Sequence, residues 1–197
     1  MKGRESGMPE EDWWSSFFDA QATIDLFVGS STSIGNVVEF GSGYGTFTVP
    51  MARRCFGTLT ALDIEPDMVE CSQRQAQANQ LFNVKATMRD FVAHGTGLES
   101  GSQAHAMIYN LLHIEHPLEL LREAHRVLAD GGALSVMHWR SDITTPRGPT
   151  LDIRPTPEKC QAWLQDAGFR AIKAVNLQGS CPYHFGLLAY ADKAGKP

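Results

Sequence analysis

The stretch Val37-Val38-Glu39-Phe40-Gly41-Ser42-Gly43-Tyr44-Gly45, followed by Thr46-Phe47-Thr48-Val49-Pro50-Met51-Ala52-Arg53-Arg54, decides how this chain is read. Val37 to Phe40 have the length and composition of a short buried parallel strand. Glycines at 41, 43 and 45 then end the strand abruptly. They tolerate positive φ and let a ligand approach the backbone with no Cβ in the way. A helix is expected to follow at once and to continue to about Arg54, with its free N–H groups and positive dipole end turned toward the ligand. The stretch therefore reads as a nucleotide-type or carboxylate-type binding turn.

Glycine spacing narrows the ligand. The dinucleotide fingerprint spaces its glycines G-x-G-x-x-G, whereas here the run is G-x-G-x-G, with Glu39 two positions before the first glycine. This spacing disfavours an NAD-dependent oxidoreductase. A second strand, Thr58-Leu59-Thr60-Ala61-Leu62, ends in Asp63, where a carboxylate can hydrogen-bond a ribose diol. Glu39, Gly41, Gly43, Gly45 and Asp63, in this order, resemble the cofactor site of class I S-adenosylmethionine-dependent methyltransferases, here of the small-molecule type.

Outward from this stretch, strands and helices alternate. A helix with Pro66 in its first turn runs to Asn79, and a third strand, Asn83 to Met88, ends at Arg89-Asp90-Phe91. Ala104 to Tyr109 form a fourth strand, Pro117 starts a helix that Asp130-Gly131-Gly132 stops, and Ala133 to Met137 form a fifth strand ending at His138-Trp139-Arg140. Thr156-Pro157-Glu158 opens a capped helix through Asp166, and Ala171 to Leu177 and Phe185 to Tyr190 are the last strands. The alternation predicts an α/β fold, a doubly wound, mostly parallel sheet with helices on both faces and a ligand crevice at the strands' C-terminal ends. The resemblance covers roughly residues 36 to 190 and implies seven strands, the last antiparallel. The chain is read as one domain, 1–197, in which 1–29 hold a polar end and an aromatic lid helix and 141–155 form a substrate-side loop. Trp13, Trp14, Phe17 and Phe18 fall on one face of that helix, which either closes over the site or packs on the sheet as an ordinary amphipathic helix.

Composition limits the partners. At 197 residues and a net charge of −5, the chain has no basic excess to attract nucleic acid or an anionic membrane. Its 4 cysteines, Cys55, Cys71, Cys160 and Cys181, are widely spaced with no C-x-x-C pair, so neither a zinc cluster nor a disulfide framework is expected. No apolar run approaches a membrane span, and the first residues lack the apolar core of a signal peptide, so a cytoplasmic protein is expected. No sequence feature specifies an oligomeric state.

The resemblance also implies roles for single residues. Backbone groups at Gly41 and Gly43, with Ser42, Tyr44 and Gly45 around them, would hold the methionine part of S-adenosylmethionine, and Asp63 its ribose hydroxyls. Ile64 would flank the adenine, Asp90 would reach its amino group beside Phe91, and Tyr109 or Asn110 would lie next to the methyl sulfonium. Asp90 also reads as a helix cap. Methyl transfer is an in-line displacement, so the protein must align the acceptor and keep water out, and a base helps when the acceptor arrives protonated. His113 and His138 are the candidate bases; the alternative is that each is a structural histidine. Trp14, His116, Trp139, Arg140, Arg147 and Arg154 are candidate acceptor contacts, the arginines because their fork pairs with carboxylate or phosphate. Tyr44 and Trp139 could offer π faces to the sulfonium. His113-Ile114-Glu115-His116 lacks a recognised zinc spacing, and no metal is expected. Tyr109-Asn110-Leu111-Leu112 does not match the Asn-Pro-Pro-Tyr motif of amide and adenine methylation, which disfavours those substrates. The expected function is methyl transfer to a small-molecule acceptor. The alternatives are a protein that binds S-adenosylmethionine or S-adenosylhomocysteine without catalysis, and a protein or RNA methyltransferase.

Overall fold

A computed structural model of the chain describes residues 8–30 and 33–193. Strands β1 (Val37–Phe40), β2 (Leu59–Asp63), β3 (Val84–Met88), β4 (Gln103–Tyr109), β5 (Leu128–Trp139), β6 (Phe169–Val175) and β7 (His184–Ala191) form one sheet in the order β3-β2-β1-β4-β5-β7-β6. β1, β2, β3, β4 and β5 pair in parallel, and β7 runs antiparallel to both β5 and β6. The expected fold class is thus the observed one.

Successive strand residues face opposite sides of a sheet, and this alternation builds two cores. Val38, Phe40, Ile108 and Val136 pack on one face against α6 (Pro117–Val127) and α7 (Pro157–Asp166), through Leu121, Ala124 and Leu164. Val37, Leu59, Met107 and Met137 pack on the other face against α2 (Ala20–Val28), α3 (Thr48–Ala52) and α4 (Pro66–Ala78), through Ile24, Phe27, Met51 and Ala76. Helix α7 starts as expected, with the Thr156 hydroxyl accepting the Lys159 N–H at 3.2 Å.

Three elements differ from the sequence reading. The aromatic segment is not one helix: α1 (Glu11–Ser15) stops before Phe17, and α2 begins after Asp19. Asp19 breaks the path because its carboxylate caps α2, accepting the Ala22 N–H at 3.0 Å, while its own N–H donates to Ser180 O at 2.8 Å. The four aromatics therefore do not share a face, and Trp13 is 47% exposed while Phe17 is buried. In β5, Asp130-Gly131-Gly132 lies inside the strand rather than before it. The ladder jumps from Gln103↔Leu128 to His105↔Ala133, and residues 129–132 bulge out of it. The helix after the glycine turn is also short, since α3 starts only at Thr48.

The strand order reverses between β1 and β4, which leave the sheet side by side. Open α/β sheets bind ligands outside the strand ends at such a reversal. The glycine turn and Asn110 both lie there.

Candidate active site

Past β1 the chain turns through Gly41 (φ +72), Gly43 (φ +52) and Gly45 (φ +82), a left-handed path that favours glycine. The Gly41 N–H donates to Leu62 O at 2.8 Å and the Gly43 N–H to the Asp63 Oδ2 at 2.8 Å. These amides are thus engaged inside the protein. From α4, the Ser72 hydroxyl holds the turn by donating to Gly43 O at 2.9 Å, and it lies 3.0 Å from the Ser42 hydroxyl, from which it can accept. Gly45 faces Ser72, whose Cα would lie 3.2 Å from an added Cβ. Asp63 also accepts the Glu65 N–H at 3.1 Å, which bends the chain away after β2.

Above the turn lies a cavity of about 660 Å³, within the range of roughly 300–1,000 Å³ usual for small-molecule sites. Its wall holds ten of the expected cofactor residues: Glu39, Gly41, Ser42, Gly43, Asp63, Ile64, Asp90, Phe91, Tyr109 and Asn110. Tyr44 and Gly45 are not in it. The Tyr44 hydroxyl turns to the N-terminal segment and donates to Pro9 O at 2.6 Å, so no π face is offered to the cavity. Asp90 performs the capping role read for it, accepting the Ala93 N–H at 2.9 Å, and also reaches the cavity wall.

Trp14, Trp139 and Arg147 line the cavity among the expected acceptor contacts, and His116, Arg140 and Arg154 do not. His116 is exposed at the start of α6, where Pro117 is the first helical residue. Arg140 forms an ion pair with Asp142 at 2.7 Å on the surface. Arg154 sits behind the loop, donating to Pro149 O at 2.7 Å, Arg140 O at 2.8 Å and Arg147 O at 3.3 Å, and so pins residues 140–154 together.

The two candidate bases differ. His113 lines the cavity, whereas His138 is 0% exposed and lies outside the cavity wall. His138 touches His113 instead, with the His138 Nε2 and His113 Nδ1 3.2 Å apart. The expectation that His138 itself meets the acceptor is corrected by this burial. Burial pushes the His138 pKa down to about 3, and burial with the nearby Arg154 charge lowers that of His113. Both rings are therefore neutral at physiological pH.

Electrostatics divide the cavity. Glu39, Asp63 and Asp90 crowd one end, near the glycine turn. Glu39 is 3% exposed and accepts the Thr48 hydroxyl at 2.5 Å. Burial raises its pKa to about 8, and Asp63 is also raised, chiefly by burial. A cationic ligand would favour the ionised form of Glu39. Arg147, Trp14, Trp139 and His113 line the same cavity.

Met8, Thr46, Phe47, Leu111, Ile114, Thr150 and Ile153 also line the cavity, and the sequence reading did not single them out. Trp14 reaches Thr46, its ring N–H donating to the hydroxyl at 3.2 Å. Thr48 could have been found from its place nine residues after the buried acid. Met8 and Ile153 carry no local signal, because only the tertiary fold brings them over the turn.

The cavity fits the cofactor that the sequence implied. Asn110, held at φ +59, has a buried side-chain oxygen without a partner among the described residues, and Asn110 is on the cavity wall. Acids at one end suit a ligand with positive charge and hydroxyl donors. No group of His, Cys, Asp or Glu among the described residues is placed to hold a metal ion, and no described helix is long and apolar enough to cross a membrane.

A seven-stranded sheet of this order with a site at the β1/β4 reversal defines a Rossmann-like, methyltransferase-type protein. Residues 37–132 match the model of the methyltransferase domain family, and the sheet order is that of the Rossmann-like methyltransferase fold, which is consistent with a class I methyltransferase. Family and fold imply an enzyme with S-adenosylmethionine as cofactor. The structure is similar to a SAM-dependent methyltransferase from Aquifex aeolicus, with 20% identity, 89% of this chain and 90% of that one covered, and a TM-score of 0.74. It is also similar to a putative type 11 methyltransferase from Sulfolobus solfataricus, at 20% identity, 92% and 96% coverage and a TM-score of 0.70. A chain of the complex between the Haloferax volcanii Trm112 methyltransferase activator and the putative methyltransferase matches at 14% identity, 94% and 97% coverage and a TM-score of 0.70. No curated protein matches the chain in sequence.

Proposed function

We propose that this protein transfers a methyl group from S-adenosylmethionine to a small-molecule acceptor that carries a proton to be lost, with His113 as the base. One observation carries the reading: a single cavity is lined by the glycine turn with its acids, by two tryptophans and by a half-buried histidine.

Backbone groups at Gly41 and Gly43 with Glu39 would hold the methionine part, Asp63 the ribose hydroxyls, and Ile64, Asp90 and Phe91 the adenine. Bound there, S-adenosylmethionine would supply an electrophilic methyl group, the electron pair of its bond to sulfur staying on sulfur as the methyl passes to the acceptor. Trp14 and Trp139 give the acceptor an apolar wall, and Arg147 with the 141–155 loop closes the site against water. His113 takes the acceptor's proton at Nε2, the ring nitrogen with no protein partner among the described residues. Its lowered pKa suits an acceptor whose own proton is already acidic, such as a phenolic or enolic hydroxyl.

The test is His113→Gln, assayed for S-adenosylhomocysteine release with a panel of small hydroxyl compounds. Turnover is expected to fall by roughly 10²–10⁴-fold, the usual contribution of a positioned base, with S-adenosylmethionine affinity unchanged. Undiminished turnover contradicts the role of His113.

A further inference from the structure

The buried His138 has no place on the cavity wall, yet it touches the one histidine that does. Its two ring nitrogens have different partners. Nδ1 lies 3.1 Å from Trp139 O, and Nε2 lies 3.2 Å from the His113 Nδ1. A carbonyl oxygen can only accept, so the His138 Nδ1 carries the proton. A neutral imidazole has one N–H, which leaves the His138 Nε2 as a lone pair that only accepts. The His113 Nδ1 must then be the donor, and the His113 Nε2 is left as a bare lone pair. A hydrogen-bonded chain thus runs from the β5 backbone through two rings to the cavity.

The surroundings keep this assignment stable. Charged and titratable groups near the pair are Arg154, from the loop, and His184, from β7, whose ring is buried against Trp139 at 4.1 Å between centroids. The Arg154 guanidinium donates to three backbone carbonyls, and no carboxylate hydrogen-bonds either His113 or His138 among the described residues. Protonating His138 would place a second cation beside Arg154 in a buried site, and burial pushes its pKa to about 3. The Phe185 ring, 6.2 Å away between centroids, fills another side.

We propose that His138 is a positioning residue that holds His113 in the Nδ1–H tautomer, so that the His113 Nε2 faces the cavity as an unprotonated base. The proposal rests on the reading of His113 as the base, but its physical content, which nitrogen carries the proton, is measurable without an acceptor. When His113 takes the acceptor's proton at Nε2, its Nδ1–H bond to His138 is retained and steadies the imidazolium. This is the second-partner logic by which a histidine's reactive nitrogen is selected by the bond the other nitrogen makes.

Long-range ¹H–¹⁵N correlation spectra of the full-length ¹⁵N-labelled protein at pH 7.5 give the tautomer of each ring, with His113→Gln identifying the His113 signals. The wild type is expected to show both His113 and His138 protonated on Nδ1, for His113 by roughly tenfold over the other tautomer, the scale of one net hydrogen bond. In His138→Phe the ratio at His113 should invert toward Nε2–H, the form a free neutral histidine favours. In His138→Gln a side-chain carbonyl again offers an acceptor and should restore part of the Nδ1–H form. Wild-type His113 protonated on Nε2 overturns the proposal even if the variants fail to fold, and so does a His113 tautomer unmoved in a folded His138→Phe. A failure of the methyltransferase reading shows elsewhere, as absence of S-adenosylmethionine binding, and leaves these spectra unchanged.

Discussion

Glu39 is a carboxylic acid at the floor of a cavity, nearly without solvent, and the Thr48 hydroxyl donates to it. Its pKa, raised from 4.5 to about 8 by burial, ties stability to pH with a definite sign. The unfolded chain releases this proton near 4.5 and the folded one near 8, so the stability it contributes is fully present below 4.5 and is lost as pH rises through 8. Gln cannot ionise, and its amide oxygen can still accept from Thr48. Glu39→Gln is therefore expected to gain stability over the wild type between pH 5 and pH 8, by up to about 1.4 kcal/mol per pH unit at full slope, while binding S-adenosylmethionine more weakly. Parallel thermal melts across that range check it, and a constant difference in midpoint would contradict the raised pKa.

The glycine turn and the acids at the ends of β1 and β2 were legible because each is a short local pattern: a β-rich run, a break, then a carboxylate. The two histidines were legible only as neighbours of the crevice. What separates them is burial, decided by Phe185 on β7 and Arg154 on the loop, residues far away in sequence. A histidine's own position in the chain carries no sign of that.

At the scale of elements, the loop after β5 is the part most dependent on tertiary contacts. Gly148, at φ +113, lies so close to Trp139 that an added Cβ would sit 2.9 Å from two ring atoms. Together with Arg154, whose guanidinium gathers three loop carbonyls, it fixes the wall that carries Arg147 and Thr150. Gly148→Ala meets both the strained φ and the ring, and the expected cost is roughly 1–3 kcal/mol of stability. Urea unfolding measures it; a variant as stable as the wild type would mean that loop and ring are not in contact. The length and the prolines of residues 141–155 marked a loop of consequence, but not which arginine faces the cavity. Three arginines in one segment take three different places because Asp142, the backbone carbonyls and the cavity each claim one. Likewise, the spacing of Trp13, Trp14, Phe17 and Phe18 suits a helix. The contact of Asp19 with Ser180, distant in sequence, ends that helix.

At the scale of the whole molecule, the sheet order follows from the alternation of strands and helices, and two apolar faces on the central strands require helices on both sides. The same burial makes the protein sensitive to acid. Burial pushes the pKa of His105 to about 4 and those of His138 and His184 to about 3. These rings stay neutral when folded and take protons near 6.5 when unfolded, so their contribution is present above 6.5 and is lost as pH falls toward 4 and 3. Each group adds up to about 1.4 kcal/mol per pH unit within that window, opposed there by Glu39. The melting temperature is expected to fall between pH 7 and pH 5, and one independent of pH would contradict the buried neutral rings.

The central claim is that the cavity over the glycine turn takes S-adenosylmethionine. Calorimetric titration of the purified protein with S-adenosylmethionine and S-adenosylhomocysteine, with NAD as the control, tests it most directly. Saturable binding of both at one site per chain is expected, with no heat from NAD, and loss of that binding in Asp63→Ala. Absence of binding by either compound, or an equal response to NAD, would contradict it.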